Sequence, residues 1–269
     1  MMNSGIAVFA LALVTTLAQA DDYLSPTNDR LRVSIGVMRT SAATDIRIDA
    51  SPKLPGTEIS AENDLGLRRA NTRPKFQAMV RVATRHRLFF DYFTLDRTGN
   101  KTLTGTPIAF RNAILLPGDP VQTDLSLRML TLTYGYSFWH GEKLELAGTF
   151  GISDTQIAAR ARVQTETRHI DQREDQAGPF PTPGLDATWA LSKRFYLDAS
   201  AKYLRVAVQH TTGSLSMYEF DAFYRYRPNV SFALGYNNLK ARLSATQSSQ
   251  SGFFDFDAKG PTLFVRVAF

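Results

Sequence analysis

The feature that most constrains this chain is an alternation of apolar and polar residues at a period of two, repeated along most of its length. Near the start, Leu31, Val33, Ile35 and Val37 alternate with polar or small neighbours. Segments around 144–152, 185–191, 218–226 and 230–237 repeat the pattern. A period of two places apolar side chains on one face of a β-strand. Because no comparable helical stripe follows residue 20, the sequence predicts an all-β chain.

The average composition hides this architecture. A hydrophobic fraction of 43% and a mean hydropathy of −0.20 resemble those of a soluble protein. A membrane barrel gives the same average, since it alternates lipid-facing apolar residues with interior polar ones. After residue 20 no run approaches the roughly 18 consecutive apolar residues of a spanning helix, which excludes a helical inner-membrane protein. The 18 Phe and 10 Tyr suit the aromatic girdles of a barrel.

The connections between the alternating segments are sorted into two kinds. Short ones at Thr84–Arg87, Trp139–Lys143, Ser192–Arg194 and Arg227–Asn229 alternate with longer polar ones. Outer-membrane barrels have short turns at one end and long loops at the other. The sequence therefore predicts an antiparallel transmembrane up-and-down β-barrel of ten strands. The predicted strands are 30–40, 73–84, 87–98, 122–138, 143–156, 183–192, 194–209, 215–227, 229–246 and 254–269.

The strand number has two alternatives. Ile46 and Ile48 alternate with Arg47 and Asp49, and the segment 57–62 is able to pair back with them. An additional hairpin there gives twelve strands, which is the first alternative, and eight strands is the second. The longer connections, predicted as loops, are 39–73, 99–122, 157–183, 210–215 and 247–253.

The first twenty residues have the pattern of a secretory signal peptide. Ile6–Leu17 is an apolar run too short to span a bilayer, and Ala18-Gln19-Ala20 fits the small-x-small rule for cleavage. One departure is that no Lys or Arg precedes the apolar run. We expect cleavage after Ala20 and a mature barrel domain over residues 21–269. An uncleaved anchoring helix is the competing interpretation.

The end of the chain carries a family resemblance. Leu263, Val265, Val267 and Phe269 share one face of the last predicted strand, and the final residue is aromatic. This pattern resembles the terminal-strand signature of bacterial outer-membrane β-barrel proteins. The resemblance implies a location in the outer membrane, contact with its lipid and lipopolysaccharide, and recognition by the barrel assembly machinery. The chain falls in the size range of omptins and similar barrels, matches no characterised subfamily, and is expected to be a monomer.

If the apolar alternates face lipid, a balanced set of charges faces the barrel interior. Charges removed from water need partners, so we expect a paired lumenal network. About eight strands leave a filled interior and porins need about sixteen for an open channel, so ten strands disfavour a general-diffusion porin and leave a narrow or gated pore open. The expected lumenal residues are Arg32, Arg81, Asp91, Arg128, Glu145, Asp186, Asp198, Lys202, Glu219, Asp221, Arg225 and Arg266.

The sequence holds little that indicates catalysis. Of its four histidines, His86 and His140 lie at short turns, while His169, near Asp171, and His210 lie in or near predicted loops. A pair of His169 and Asp171 in a flexible loop makes a poor base, because geometry comes first. There is no cysteine, no nucleophile elbow, no phosphate-binding loop and no metal-ligand spacing. No catalytic residue, metal or cofactor is therefore assigned.

A structural, binding or narrow-pore role is thus favoured over enzymatic activity. The alternative is an outer-membrane hydrolase, a protease or an enzyme acting on lipid A or phospholipid, with its site at the extracellular rim. The net charge of +6 is dispersed and of mixed sign, so nucleic acid is not an expected partner. Two groups of arginines in the predicted loops suit lipopolysaccharide phosphates: Arg68, Arg69 and Arg73, and Arg160, Arg162, Arg168 and Arg173.

Overall fold

The computed structural model describes residues 25–49, 58–105, 107–110, 113–165, 169–208, 210–247 and 250–269. The signal peptide expected over residues 1–20 lies outside them. One 3₁₀ turn, Pro26–Asn28, precedes thirteen strands. In the described part of the chain, no helix is long and apolar enough to cross a membrane. The strands are β1 (Leu31–Asp49), β2 (Glu58–Ser60), β3 (Ala70–Ala83), β4 (His86–Thr102), β5 (Ile108–Phe110), β6 (Ala113–Leu115), β7 (Pro120–His140), β8 (Leu144–Gln164), β9 (His169–Ala190), β10 (Phe195–Val208), β11 (Thr211–Arg227), β12 (Val230–Gln247) and β13 (Gln250–Ala268).

Ten of these strands form a closed antiparallel barrel. They follow the order β1, β3, β4 and β7 to β13, each paired with its neighbour in sequence, and β13 pairs back with β1. At the seam the main chains of Leu31 and Phe269 exchange two hydrogen bonds, at 3.0 and 2.9 Å. The all-β, ten-stranded, up-and-down prediction is therefore confirmed.

The two ends of the barrel differ in shape. Short turns join β3 to β4, β7 to β8, β9 to β10 and β11 to β12, and both chain termini lie beside them; we call this the turn end. At the opposite, extended end the strands are long, and β8 and β9 have 21 and 22 residues. A membrane-spanning strand needs about 9–11 residues, so both strands are twice the length of a span.

The segment 157–183, predicted as a loop, is instead mostly strand. The β8–β9 ladder runs without a register shift from Leu144 and Trp189 to Gln164 and His169. Neither face of a strand that extends beyond the membrane needs to be apolar. This segment therefore carries polar residues on both faces and shows no alternation. Hydrophobic periodicity, the basis of the prediction, reports burial and not hydrogen bonding.

Two short additions lie at the extended end. β2 pairs with the upper part of β1, with Ile46 opposite Ile59, as the sequence suggested. It continues the barrel wall above β3, so the barrel keeps ten strands and not twelve. β5 and β6 form a separate hairpin between β4 and β7, within the region 99–122 that was predicted as a loop.

A belt of exposed apolar side chains surrounds the barrel on its outer face. Leu132, Ile152 and Leu234 are each more than half exposed, although they lie within paired strands. So large a continuous apolar surface is unfavourable in water. Aromatic residues edge the belt at the turn end, among them Phe138, Trp139, Trp189, Phe195 and Tyr226.

The seam between β9 and β10 is short. It joins Gly184–Ala190 to Tyr196–Lys202 in seven residue pairs. Beyond Gly184 and Lys202, toward the extended end, both strands continue, β9 back to His169 and β10 on to Val208. There β9 remains paired with β8 and β10 with β11. We call this interruption of the wall, between the described residues 169–183 and 203–208, the slot.

Candidate functional site

The barrel interior is layered, and its layer at the turn end consists of ion pairs centred on Glu145. Arg81 donates to both carboxylate oxygens, at 2.7 and 2.8 Å, and Ser137 donates at 2.6 Å. Arg87 lies 3.3 Å from the same carboxylate, and His140 Nδ1 lies 3.2 Å from it. Glu145 and Arg87 are fully buried, so this cluster satisfies a carboxylate that has no access to water.

A second cluster surrounds Asp198. Arg266 donates to its carboxylate, and the Arg32 guanidinium lies 3.6 Å away. Arg32 and Arg225 also reach Asp29, at 3.1 and 3.5 Å. Each carboxylate therefore has two guanidinium neighbours, and the set forms one connected group.

Asp29 belongs to a short segment that lies across the turn end. The hydroxyls of Ser25 and Thr27 both donate to the main-chain oxygen of Glu142, in the turn between β7 and β8. The Arg32 guanidinium in turn donates to the main-chain oxygen of Pro26. The segment 25–29 therefore joins the network to the opposite side of the barrel.

Aromatic rings fill the space beside these charges. Tyr196 and Phe223 stack at 4.7 Å between ring centroids. Arg266 lies over Phe223 at 3.8 Å, and Arg225 lies over Tyr196 at 5.4 Å. Cation–π contact of this kind stabilises a guanidinium away from water.

A third polar group lies nearer the middle of the barrel. Lys75 donates to Glu219 and to Asn237, both at 2.6 Å, and Lys202 lies 3.7 Å from Asp91. The cavities around these polar layers measure about 90 Å³ each. Since they hold only a few water molecules, the turn-end half of the lumen is filled.

Above the polar layers the lumen becomes apolar. A cavity of about 520 Å³, which we call the apolar chamber, lies between β7 and β13 on the side of the slot. Arg242, paired with Asp255 at 2.8 Å, is the one charged residue among the described residues that line it. Its inward-facing apolar lining comprises Leu125, Leu127, Met129, Ile157, Phe180, Leu204, Val206, Leu215, Leu239, Ala241, Leu243, Phe254 and Phe256.

An apolar cluster, which we call the cover, lies nearer the extended end than the chamber lining of β7 and β8. Ile108 and Leu115 of the β5–β6 hairpin pack with Val121 of β7 and Val163 of β8, and all four are buried. The segment 58–65 packs against the same cluster through Ile59 and Leu65, which are partly buried.

A buried ion pair fixes that segment in place. Arg97 of β4 donates to Glu62, whose other carboxylate oxygen accepts from the main-chain N–H of Thr44 at 2.9 Å. Arg97 also donates to the Thr44 hydroxyl at 2.5 Å. The pair therefore links β1 and β4 across the segment.

Eleven of the twelve predicted lumenal residues point inward, and most of them meet in the clusters described above. Arg128 does not. It is exposed and shares the outer face of β7 with Leu130 and Leu132, whereas Leu127 and Met129 face the chamber. The assignment of apolar residues to the outside is wrong at this level, because here the lumen is apolar and the outer face is polar.

Several interior residues escaped the sequence analysis. Lys75 precedes the clear alternation of β3, and Arg87 was assigned to a turn, although it begins the inward series of β4. Asp29, Glu62 and Arg97 lie outside the predicted strands or at their ends. The sequence does hold a signal for Arg87. It lies two positions before Phe89 and four before Asp91, so the alternation of β4 places it on the same inward face.

The candidate catalytic histidines lie apart from one another. His86 Nδ1 lies 2.6 Å from the Tyr134 hydroxyl at the turn end. His169 is exposed, and its proposed partner Asp171 is engaged by Arg160, whose hydrogen bond holds the pKa of that carboxyl below its usual range. His210 lies in the exposed connection between β10 and β11. Among the described residues no cluster of three or more His, Asp or Glu is arranged to hold a metal. The hydrolase alternative stays a prediction.

The loop arginines considered for phosphate binding mostly have carboxylate neighbours. Arg162 pairs with Asp124, Arg173 with Asp175 at 2.8 Å, and Arg73 with Asp96 at 3.5 Å. Arg68 and Arg69 are exposed, and Arg69 donates to Asn63 at 3.0 Å. Arg168 lies outside the described residues.

A closed ten-stranded antiparallel barrel with an outer apolar belt and paired charges in its interior has the architecture of outer-membrane β-barrel proteins. No protein-family model matches the chain, and no curated protein matches it.

Solved structures of outer-membrane barrels do match. The outer-membrane protease OmpT of Escherichia coli superimposes with a TM-score of 0.59 at 12% identity, over 93% of this chain and 99% of that one. Ail of Yersinia pestis matches with a TM-score of 0.37 at 10% identity, over 88% and 97% of the two chains. The toluene transporter TodX of P. putida also matches with a TM-score of 0.37, at 9% identity over 90% of each chain. At such identities the likeness concerns the fold.

Proposed function

We propose that this protein is an outer-membrane barrel that binds an apolar ligand in its lumen and does not conduct solutes. The observation that carries the proposal is the apolar chamber of about 520 Å³ between a filled polar layer and an apolar cover. Ligand pockets in proteins typically measure about 300–1,000 Å³ and are lined mainly by apolar side chains.

The lining determines the class of ligand. Much smaller apolar cavities stay dry and bind small hydrocarbons, since water gains no hydrogen bonds there. Each methylene group transferred from water into such a site contributes about 0.8 kcal/mol. A ligand with several methylene groups or an aromatic ring is therefore bound in preference to a sugar or an ion.

The polar layer is the feature that we propose closes the lumen toward the turn end. Glu145, Arg87 and Arg225 are buried, and their partners leave cavities of about 90 Å³. Charges that are both desolvated and paired hold their positions, because separating them costs several kcal/mol. We infer that the layer blocks passage from the chamber to the turn end.

The proposed orientation follows the class of barrel. Short turns and chain termini face the periplasm in outer-membrane barrels, and long extensions face outward. In this orientation the belt contacts outer-membrane lipid and the extended end contacts lipopolysaccharide. Leu263 and Val265 lie exposed on the outer face of β13, close to the junction with β1, where the barrel assembly machinery is proposed to bind.

Two glycines allow a matched test. Gly178 lines the chamber, Gly148 lies on the outer face of β8, and a Cβ added at either position meets no heavy atom within 4 Å. We expect Gly178→Phe to fill the chamber and to weaken binding of a fluorescent fatty acid by about tenfold or more, the equivalent of 1.4 kcal/mol. Gly148→Phe, which adds the same ring toward lipid, should leave binding unchanged.

The measurement is a fluorescence titration of each refolded protein in detergent micelles. Equal affinities for the two variants would place the ligand outside the chamber and contradict the proposal. Heat-modifiable electrophoretic mobility of both variants checks that the barrels are folded.

A further inference from the structure

We propose that the slot between β9 and β10 admits an acyl chain of a membrane lipid sideways into the apolar chamber. The inference rests on the proposed function, because it requires a chamber that takes an apolar ligand. It adds the entry route and the chemical class of the ligand. Four features of the slot support it: the chemistry of its edge, its level, its connection to the chamber and a groove below it.

The edge of β9 offers β10 no N–H donor between Pro179 and Pro183. Ala190 donates its N–H toward β8 at 2.7 Å, and Leu191 donates toward β10 at 3.0 Å. Alternate residues of a strand point their N–H groups to opposite sides. Since the β8–β9 register has no shift, the odd-numbered residues Pro179, Pro181 and Pro183 all face β10. Proline has no N–H, so three successive donors are missing from this edge.

The same chemistry suits an edge that faces lipid. An unsatisfied N–H group in hydrocarbon costs several kcal/mol, which is why open sheet edges are avoided in membranes. Three prolines remove the N–H part of that cost along the β9 edge, which favours contact of this edge with the acyl region.

The lower end of the slot lies at the level of the apolar belt. On β8, Phe150 and Ile152 stand opposite Pro183 and Pro181, and both are more than half exposed. On the other side, Tyr203 follows the last β9–β10 pair and is also more than half exposed. Acyl chains that contact the belt therefore reach the slot without entering water.

The slot leads directly into the chamber. Gly178 and Phe180 of β9 and Leu204 and Val206 of β10 belong to the unpaired parts of these strands, and all four line the chamber. The two strand edges of the slot are thus also part of the chamber wall.

An apolar groove on the outer face leads up to the slot. Its floor consists of Ala187, Ala199 and Ala201, and Leu185 and Tyr218 stand at its sides; the groove measures about 530 Å³. Small residues on β9 and β10 among large ones on the neighbouring strands produce this depression. A chain lying in the groove is aligned along the barrel wall, with one end at the slot.

The chemistry of the route favours an acyl chain, because the belt, the groove and the chamber lining are all apolar. Arg205 is exposed on the edge of β10, two residues beyond Tyr203. A guanidinium at this position suits the phosphate or carboxylate of a headgroup that stays at the surface.

A disulfide across the slot tests the route. The chain has no cysteine, so an introduced pair has no competing thiol. Pro183→Cys and Tyr203→Cys occupy the next register position beyond the Gly184–Lys202 pair. The matched control, Ala222→Cys and Leu234→Cys, crosses β11 and β12, which are already paired, and neither residue lines the groove or the chamber.

The reporter is a tryptophan in the chamber. Trp139→Phe and Trp189→Phe remove both native tryptophans, and Leu215→Trp introduces one in the chamber lining. Brominated acyl chains quench tryptophan on contact. The rate of quenching is followed after barrels are mixed with vesicles of brominated phosphatidylglycerol.

Oxidation of the slot pair should slow quenching about tenfold or more, corresponding to at least 1.4 kcal/mol of added barrier. Reduction should restore the rate, and the control pair should show no change. Replacing Pro179, Pro181 and Pro183 with valine restores three donors and should slow entry without any cross-link.

The possible failures separate the two proposals. Quenching that proceeds equally in the oxidised and reduced slot pair overturns lateral entry and leaves chamber binding intact. Lateral entry is also overturned if the reduced protein is quenched by a brominated fatty acid added in micelles but not by vesicle lipid. Chamber binding again remains intact. If neither ligand quenches the chamber tryptophan, the chamber does not take an acyl chain, and both proposals fail.

Discussion

Arg81 and Glu145 join β3 to β8 across the lumen through two parallel hydrogen bonds, at 2.7 and 2.8 Å. The guanidinium thereby occupies both oxygens of a carboxylate that is fully buried. Bidentate pairs of this geometry are among the strongest charged hydrogen bonds in proteins. The pair connects strands that are not neighbours in the sheet, so it holds the two sides of the barrel together.

Removing the Glu145 charge should therefore destabilise the barrel. Glu145→Gln leaves the buried guanidiniums of Arg81 and Arg87 facing a neutral group, and loss of one partner of a buried pair costs about 3–5 kcal/mol. Urea unfolding in micelles, followed by tryptophan fluorescence, measures the change in the free energy of unfolding.

The control is an ion pair on the surface of the extended end. Asp171→Asn removes the partner of Arg160 in an exposed pair and should not change stability measurably. If both variants unfold at the same urea concentration, the lumenal network does not contribute as the structure indicates.

Conductance should depend on the same layer. The wild-type protein should be silent in planar bilayers, since the polar layer leaves cavities of about 90 Å³ each. Replacing Arg32, Asp198 and Arg266 with alanine removes three large side chains together with both signs of charge. We expect discrete openings, because the small cavity then joins the chamber to the turn end.

The matched control removes an ion pair on the wall of the extended end. Arg242→Ala with Asp255→Ala deletes an ion pair outside the polar layer, and the Arg242 side chain of that pair is more than half exposed. This variant should therefore conduct no current. Openings in the wild-type protein of the same size as those of the triple variant would show that the layer is not a barrier.

The outer face of β7 provides a test of side-chain orientation. Arg128 is exposed, and its neighbour Leu127 is buried in the lumen. In a chain without native cysteine, Arg128→Cys should react quickly with a membrane-impermeant maleimide and Leu127→Cys slowly. Leu132→Cys, in the belt, should react with a lipid-soluble reagent instead. Rapid aqueous labelling at position 127 would reverse the assignment of faces.

Arg128 also shows where sequence reasoning ends. Alternation located the strands within the belt, because lipid makes every second residue apolar there. Above the belt the lumen is apolar and the outer face is polar. Leu125, Leu127 and Met129 therefore face inward, while Arg128 faces out. The sequence contains the charges and the apolar residues but not the height at which the outer environment changes from lipid to water.

The candidate site was hidden for a related reason. The prolines of 179–183 fell within the polar segment 157–183, which was predicted as a loop. The sequence shows that the three prolines stand at every second position. It does not show that their N–H positions face β10, because that follows only once β8 is known to pair with the opposite edge of β9. The chamber likewise depends on side chains from seven strands that meet only when the barrel closes.

The last prediction concerns the cover of the chamber. Leu115 in the β5–β6 hairpin is 2% exposed, and its neighbour Ile114 is 58% exposed. Leu115→Asp places a charge among Ile108, Val121 and Val163, whereas Ile114→Asp places it in solvent. Full burial of a leucine side chain contributes about 1.5–3 kcal/mol, so its loss should raise the open population of the hairpin about tenfold to a hundredfold.

Limited proteolysis of refolded barrels reports this opening. Cleavage within 103–119 should accelerate by that factor in Leu115→Asp and remain at the wild-type rate in Ile114→Asp, while heat-modifiable mobility shows an intact barrel in both. The barrel itself should persist, since the hairpin forms a sheet of its own. Equal cleavage of the two variants would mean that Leu115 does not hold the hairpin against Val121 and Val163.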